Sequence, residues 1–441
     1  MSVHVSLQSL SKEQREEISE DLVIKENDNK YNMKKKEITL FDIDDNNICS
    51  LPFSYWFFRS EDFPNTINYD DGKEHIFSRL EEHKFEGKLN FIQEQVKKEA
   101  FAILNETHSI LISLFCGAGK TAFAIFLCSL LRYKGCILSH RVNIIYQWIY
   151  SFRKFLPSVT VQILTAKNKK KDCDFYVMNV GNVKKRNQKD FEDIGVLIVD
   201  EAHTICTAGF SQSLFSFFPK YLIGLTATPK RTDGMDKLLD IYFGPDVITR
   251  KLWRPFHVYI VKTNFCPKTR LNTIGSLDWT NVLEQQTENK ERNDIILNII
   301  SFFSMRRFLV LCKRKTQTSY FHQQLKSQGE DVEIFVESQK EFNYKSRILV
   351  STYSKTSVGF DHPNLDALII ASDIKEGIEQ TLGRVAGRSP ITPIVFEFQD
   401  RFRPFYSHLE TRFEVYKQTG GVIKNLHQTF PSFDYYCKNK L

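Results

Sequence analysis

Residues 109–132 read SILISLFCGAGKTAFAIFLCSLLR. An apolar run, a short glycine-bearing turn ending in Lys-Thr, and a second apolar run follow one another without interruption. The first run, Ser109–Phe115, is short and rich in β-branched and aromatic residues, as a buried strand requires; the second, Thr121–Arg132, is long enough for a helix. Between them, Cys116, Gly117, Ala118, Gly119, Lys120 and Thr121 form a turn from strand to helix N-terminus. Glycines there let backbone N–H groups converge, and the helix dipole favours an anion. Strand, phosphate-cradling turn and helix in that order predict a parallel α/β sheet with a nucleotide at its edge. The strict spacing GxxxxGK[ST] fails at its first position, Leu114.

A second stretch completes the site. Val196–Val199 is a buried strand ending in Asp200-Glu201-Ala202-His203, and Asp200 lies 80 positions after Lys120. A carboxylate at the tip of a buried strand is where a Mg²⁺ ion beside a triphosphate is held. Lys120 is therefore expected on the β/γ phosphates, with Thr121 and Asp200 on the metal and Glu201 polarising the attacking water. Taken alone, DEAH could be an ordinary acidic loop after a strand; following a phosphate loop, that reading loses its force. His203 has no second His or Cys at ligand spacing, so a metal role for it is rejected.

The rhythm of short apolar runs and amphipathic segments continues from about residue 89 to the end. Strands are expected at 109–115, 135–139, 159–165, 174–179, 196–199 and 222–226. A second series begins near His257 and continues at 308–312, 332–336, 347–351, 367–371 and 393–398. Two such series predict two tandem parallel-sheet α/β lobes, 89–252 and 253–441, behind a small α+β N-terminal domain, 1–88. This head carries 12 Lys+Arg against 19 Asp+Glu and the remainder 48 against 34, so an acidic head precedes a basic body suited to a polyanion. The head's cluster Phe53–Phe58 is read as packing material rather than a surface for stacking bases. Lys167–Lys171 is read as a solvated loop rather than a phosphate contact.

Nine cysteines, an odd number with no CxxC pair, exclude a disulfide framework and a zinc site, and point to a reducing compartment. The longest apolar stretch, Ala122–Leu131, falls short of the about 20 residues that span a bilayer. The opening turns acidic too early for a secretory signal. A soluble intracellular protein without a membrane partner is expected.

With these motifs in place the chain resembles the superfamily 2 helicases of the DEAH/DExH type, over roughly residues 85–420. Leu89-Asn90-Phe91-Ile92-Gln93 is similar to the family's adenine-reading segment, with Gln93 on the base. Ile137-Leu138-Ser139-His140-Arg141, followed by Gln147-Trp148, resembles its first nucleic-acid motif, with Arg141 as the contact. Leu225-Thr226-Ala227-Thr228-Pro229 resembles the element coupling hydrolysis to lobe movement; Thr226 and Thr228 would act there together with Asp200, Glu201, Ala202 and His203. In the second lobe, Ser351-Thr352-Tyr353 and the segment to Asp361 resemble a backbone-contacting motif, with Thr352 and Lys355 as candidates for nucleic acid. Glu379–Arg388 (EQTLGRVAGR) is similar to the arginine-finger motif, which implies catalytic roles for Gln380, Arg384 and Arg388 rather than a basic surface turn. Two positions depart from the pattern: Arg388 follows Arg384 by four residues instead of three, and Val358 stands where Glu is usual.

LTATPKRTDG, STYSKTSVGFDHPNLDALIIASD and FEVYKQTGG place the resemblance in the XPB/UvsW-like group, nearest to the helicases of large cytoplasmic DNA viruses, iridoviruses and the poxvirus transcript-release helicase. The resemblance implies that the two lobes are RecA-like, with ATP and Mg²⁺ as cofactors and ATP between the lobes. It also implies a nucleic-acid partner, DNA ahead of RNA, with transcription machinery as a further partner and the host cytoplasm or nucleus as the setting. Three functions stay open: unwinding of DNA or RNA–DNA hybrid, translocation that releases transcripts without unwinding, and a nucleic-acid-binding subunit whose ATPase has decayed.

Overall fold

The computed structural model describes residues 2–25, 37–62, 77, 79–207, 209–227, 237–336, 339, 342–356, 362, 364–375, 377–385 and 391–439. The chain divides into two compact units, Met1–Arg250 and Lys251–Leu441.

In chain order the first unit contains β1 (Ser2–Ser6), α1 (Lys12–Leu22), β2 (Val23–Lys25), β3 (Glu37–Thr39), β4 (Asp42–Ile43), β5 (Ile48–Pro52) and α2 (Phe53–Arg59). These are followed by α3 (Phe91–Thr107), β6 (Ser109–Leu114), α4 (Lys120–Leu131), β7 (Gly135–Ser139), α5 (Val142–Phe155), β8 (Val161–Leu164) and β9 (Phe175–Asn179). The unit ends with β10 (Val196–Asp200), α6 (Ala202–Ile205), β11 (Tyr221–Thr226), α7 (Lys237–Phe243) and β12 (Val247–Arg250). Seven strands form one sheet in the order β12-β6-β11-β10-β7-β9-β8, and every pairing in it is parallel. Every residue of β6, β7 and β10 is buried, as expected of a parallel sheet covered on both faces by its crossover helices. The edge strand β12, VITR, has no apolar run long enough to be singled out in the sequence.

The head is built from two small antiparallel sheets and shares one apolar core with the large sheet. Val5, Leu22, Leu51 and Tyr55 belong to the same cluster as Leu111, Leu197, Tyr242 and Phe243. The aromatic run 53–58 becomes α2: Tyr55 is buried and Phe53 and Trp56 lie against the core. Ser54 Oγ donates to the Tyr242 carbonyl at 2.9 Å. Phe57 and Phe58 remain exposed, at 41% and 42%. In the Lys-rich loop, Lys170 pairs with Asp193 and lies over the Tyr176 ring, while Lys167, Lys169 and Lys171 are exposed.

The second unit contains β13 (Phe256–Lys262), α8 (Trp279–Glu288), α9 (Lys290–Phe302), β14 (Phe308–Cys312), α10 (Lys315–Ser327), β15 (Val332–Phe335), β16 (Ile348–Thr352) and α11 (Tyr353–Thr356). It continues with β17 (Ala367–Ile370), α12 (Ile378–Val385), β18 (Ile394–Gln399), α13 (Arg403–Gln418), β19 (Gly421–Asn425), α14 (Leu426–Thr429) and α15 (Ser432–Asn439). Its seven strands also pair in parallel throughout, in the order β15-β16-β14-β17-β18-β13-β19. The two parallel sheets expected from the apolar rhythm, RecA-like as the resemblance implied, are therefore present. Among the described residues no helix is long and apolar enough to cross a membrane.

Candidate nucleotide and nucleic-acid site

Strand order gathers the chemistry of the first unit on one sheet edge. In an open parallel sheet, ligands bind beyond the carboxyl ends of the strands, where every strand-to-helix turn emerges. β11 lies between β6 and β10, and its register pairs Thr226 with Ser113 and Leu225 with Asp200. The phosphate loop, the acidic tip and the Thr226 end of β11 are thereby neighbours.

The loop after β6 is folded around its glycines. Gly117 has φ 91° and Gly119 φ 85°, left-handed values open to glycine at little cost. Lys120 Nζ donates to the Leu114 carbonyl at 2.9 Å, so the position lacking the usual first glycine still serves the loop through its backbone.

Behind the loop, Asn90 caps α3 in a reciprocal box. Asn90 Oδ1 accepts from Gln93 N at 2.9 Å, and Gln93 Oε1 accepts from Asn90 N at 2.8 Å. The same two side chains clamp the loop: Gln93 Nε2 donates to the Gly119 carbonyl at 2.9 Å, and Asn90 Nδ2 to the Ala118 carbonyl at 3.0 Å. Gln93, expected on the nucleobase, is only 4% exposed, with its amide bonded within the loop it supports. Asn90 was not singled out in the sequence, although the spacing Asn-x-x-Gln before an amphipathic run was a legible capping signal.

Asp200 is 7% exposed at the end of β10. Its Oδ2 accepts from Trp148 Nε1 at 2.7 Å and its Oδ1 from Glu201 N at 2.9 Å. Burial, followed by the neighbouring Glu201 charge, pushes the carboxyl up to about 6, against the lowering influence of the indole and Lys120. Glu201 takes the left-handed conformation, φ 53° and ψ 51°. Its Oε2 is buried without a hydrogen bond among the described residues and lies 3.6 Å from His203 Nδ1. Hard oxygen donors on two adjacent carboxyl groups, one of them with an unsatisfied buried oxygen, suit Mg²⁺, so Asp200 and the nearby Glu201 fit the ion that the motifs imply. His203 Nδ1 bonds Thr226 Oγ1 at 2.8 Å, which joins the acidic motif to β11. Thr228 lies outside the described residues.

Next to this edge, Arg141 is exposed at the N-cap of α5, and its Nε donates to His140 Nε2 at 3.0 Å. His140 Nδ1 is bonded to Thr204 Oγ1 at 2.9 Å. His140 and Trp148 stand in the segment that resembles a nucleic-acid motif, but the bonds of His140 to Thr204 and of Trp148 to Asp200 were not legible there, because those partners lie 64 and 52 positions away.

In the second unit, Thr352 is only 3% exposed, with Oγ1 3.2 Å from Ser354 Oγ. Lys355 Nζ donates to the Gln339 carbonyl at 2.7 Å and sits over the Phe335 ring. Both candidates for nucleic-acid contact are thus drawn toward their own fold. Arg384 is half-buried in the last turn of α12, and Gln380 lies on the same helix. Arg388 and Asp361 lie outside the described residues.

The turn leading into α12 is anchored by buried charge. Arg412 holds Glu397 through two hydrogen bonds, 2.7 and 2.9 Å, and reaches Asp373 Oδ1 at 3.2 Å and the Ile374 carbonyl. Close by, Arg292 and Asp400 form a second buried pair at 3.0 Å, and Asp400 also accepts from Thr263 and Gln286. This network was not anticipated, since a buried arginine and a surface one look alike in sequence.

The profile of the family described as "Type III restriction enzyme, res subunit" matches residues 82–231. The chain is 33% identical over 369 residues to "Putative helicase 161L" of Invertebrate iridescent virus 6, covering 78% of this chain and 84% of that protein. It is 30% identical over 343 residues to "Putative helicase 055L" of Frog virus 3, covering 75% and 78%. Among solved structures, S. cerevisiae Dbp5 bound to RNA and ADP BeF3 superposes with a TM-score of 0.57 at 14% identity, covering 80% of this chain and 93% of that one, a likeness of fold. The two parallel seven-stranded sheets, the phosphate loop beside a DEAH strand tip, and this extent of identity with the iridovirus proteins together place the chain in the superfamily 2 helicases, alongside those of large DNA viruses.

Proposed function

We propose that this protein is a nucleic-acid-dependent ATPase that uses ATP turnover to separate strands of DNA or of an RNA–DNA hybrid during viral transcription or replication. The observation carrying this reading is the junction at β11: Thr226, paired in register with β6, bonds His203 of the acidic motif at 2.8 Å. In this reading that bond is the link by which a change at the phosphate loop reaches the carboxylates along the strand between them.

In this reading the N–H groups of residues 117–121 and Lys120 hold the phosphates, and Thr121 and Asp200 hold Mg²⁺. The ion would supply charge neutralisation for the phosphates. Glu201, its Oε2 free of hydrogen bonds among the described residues, takes a proton from the attacking water. Arg384 and Arg388 are the groups that offset charge developing on the γ-phosphate. Nucleic acid is held mainly through its phosphates, with Arg141 among the contacts, so affinity falls steeply with salt. Gln93 acts on the nucleotide through the loop it clamps.

The test is Lys120→Ala. DNA-stimulated ATP turnover is expected to fall by about 100-fold or more, the scale of losing one preorganised charge donor; undiminished turnover would refute the site. A labelled-duplex displacement assay on the same preparations separates unwinding from translocation that only strips transcripts. Strand release with wild type and none with the variant supports unwinding.

A further inference from the structure

His140 lies between the proposed nucleic-acid contact and the catalytic carboxylate, and neither ring nitrogen is free. Arg141 Nε donates to Nε2 at 3.0 Å. A guanidinium has no acceptor, so Nε2 must be the unprotonated nitrogen. Burial, and after it the Arg141 charge, pushes the ring down to about 4, so it is neutral at ordinary pH. The ring's one proton therefore sits on Nδ1, which donates to Thr204 Oγ1 at 2.9 Å. That in turn directs the Thr204 hydroxyl proton to the Glu201 carbonyl, 2.8 Å away. Each link has only one polarity open to it: Arg141 to His140 to Thr204 to the backbone of Glu201.

Both ends of this chain are poised to change. Arg141 is exposed. Glu201 holds φ 53°, a left-handed conformation that a residue with a side chain keeps only where its surroundings impose it. Its carbonyl accepts from both the N–H and the hydroxyl of Thr204, each at 2.8 Å. The base of the ring is fixed independently, since the His140 carbonyl accepts from Asn179 Nδ2 at 2.9 Å.

We propose that His140 is a positioning residue that couples nucleic-acid binding to ATP hydrolysis. A backbone phosphate that engages Arg141 draws its Nε–H away from His140, and the change passes through Thr204 to the backbone that aims the Glu201 carboxylate. The proposal rests on the reading of this edge as an ATPase site and adds the route by which nucleic acid reaches it. Linkage makes the effect reciprocal: nucleotide must alter nucleic-acid affinity by the same factor by which nucleic acid alters nucleotide affinity.

The experiment compares wild type with His140→Ala, His140→Gln, Thr204→Val and Thr204→Ser. Two quantities are read: the ratio of ATPase rates with and without single-stranded DNA, and the change in DNA affinity caused by a non-hydrolysable ATP analogue. His140→Ala and Thr204→Val are expected to lower both by about tenfold, within the usual range of coupling between sites. His140→Gln keeps one donor and one acceptor, and Thr204→Ser keeps the hydroxyl; both are expected to stay within about threefold of wild type on the same scale. Unaltered coupling in folded His140→Ala or Thr204→Val overturns the proposal. So does an equal loss of rate with and without DNA, which is the mark of a merely structural role. Wild type with no ATP turnover on any polynucleotide overturns the ATPase reading itself and the coupling with it, a result distinct from the other two.

Discussion

Replacing Trp148 with Phe tests how the Asp200 carboxylate is held. The indole is fully buried, and its Nε1–H donates to Asp200 Oδ2 at 2.7 Å. Phe keeps an aromatic ring in place and deletes that donor. Losing a hydrogen bond to a charged acceptor costs about 1.5–3 kcal/mol. The smaller ring leaves a void worth about 1 kcal/mol. The first unit should therefore lose about 3 kcal/mol, a large share of a typical domain stability of about 5–15 kcal/mol. Because the indole is one of the groups holding the Asp200 pKa down, its loss moves that carboxyl further up from about 6. The acidic limb of the ATPase pH profile should shift toward higher pH. Native-state hydrogen exchange at the amides of β10 reads the local stability without requiring the two units to unfold together. A double-mutant cycle with Asp200→Asn isolates the pair, with an expected coupling of about 1.5–3 kcal/mol. A coupling below about 0.5 kcal/mol, the limit at which sites count as independent, would refute the reasoning.

Arg412→Ala should destabilise the second unit by about 3–5 kcal/mol, since it leaves the Glu397 and Asp373 carboxylates buried without their partner; thermal denaturation checks this, and a loss under about 1 kcal/mol contradicts it. The His140 ring, held near 4 in the folded chain against an ordinary value of 6.5, resists a proton that the unfolded chain takes up. Its contribution is present above pH 6.5 and is lost as pH falls toward 4, while Asp200, raised from 3.8 to about 6, works in the opposite sense over much of that window. The stability gap between wild type and His140→Ala should narrow as pH is lowered from 6.5 to 4; denaturant curves that show a constant or widening gap would exclude the assignment.

Much of the site was legible because its parts are contiguous in the chain. A glycine turn between apolar runs, and a carboxylate pair ending a wholly buried strand, are local patterns with local physical causes. The structure confirms β6, α4 and β10 within a residue or two of where the apolar runs put them. Strand edges were less clear. β12 spans four residues of mixed polarity, and the expected strand 159–165 shortened to Val161–Leu164, where three of the four residues are only partly covered.

What the residues alone determined is the existence of two parallel-sheet lobes and the positions of the phosphate loop and acidic tip, since apolar period, glycine placement and strand ends are properties of short stretches. Only the tertiary structure decided what each side chain does there. Strand order brings Trp148 to Asp200 across 52 positions, His140 to Thr204 across 64 and Gln93 to Gly119 across 26. It also turns Gln93 and Lys355 inward, where the motif suggested outward contacts. A hydrogen bond depends on where two backbones are carried by the sheet that joins them, and no local pattern in either segment records that distance.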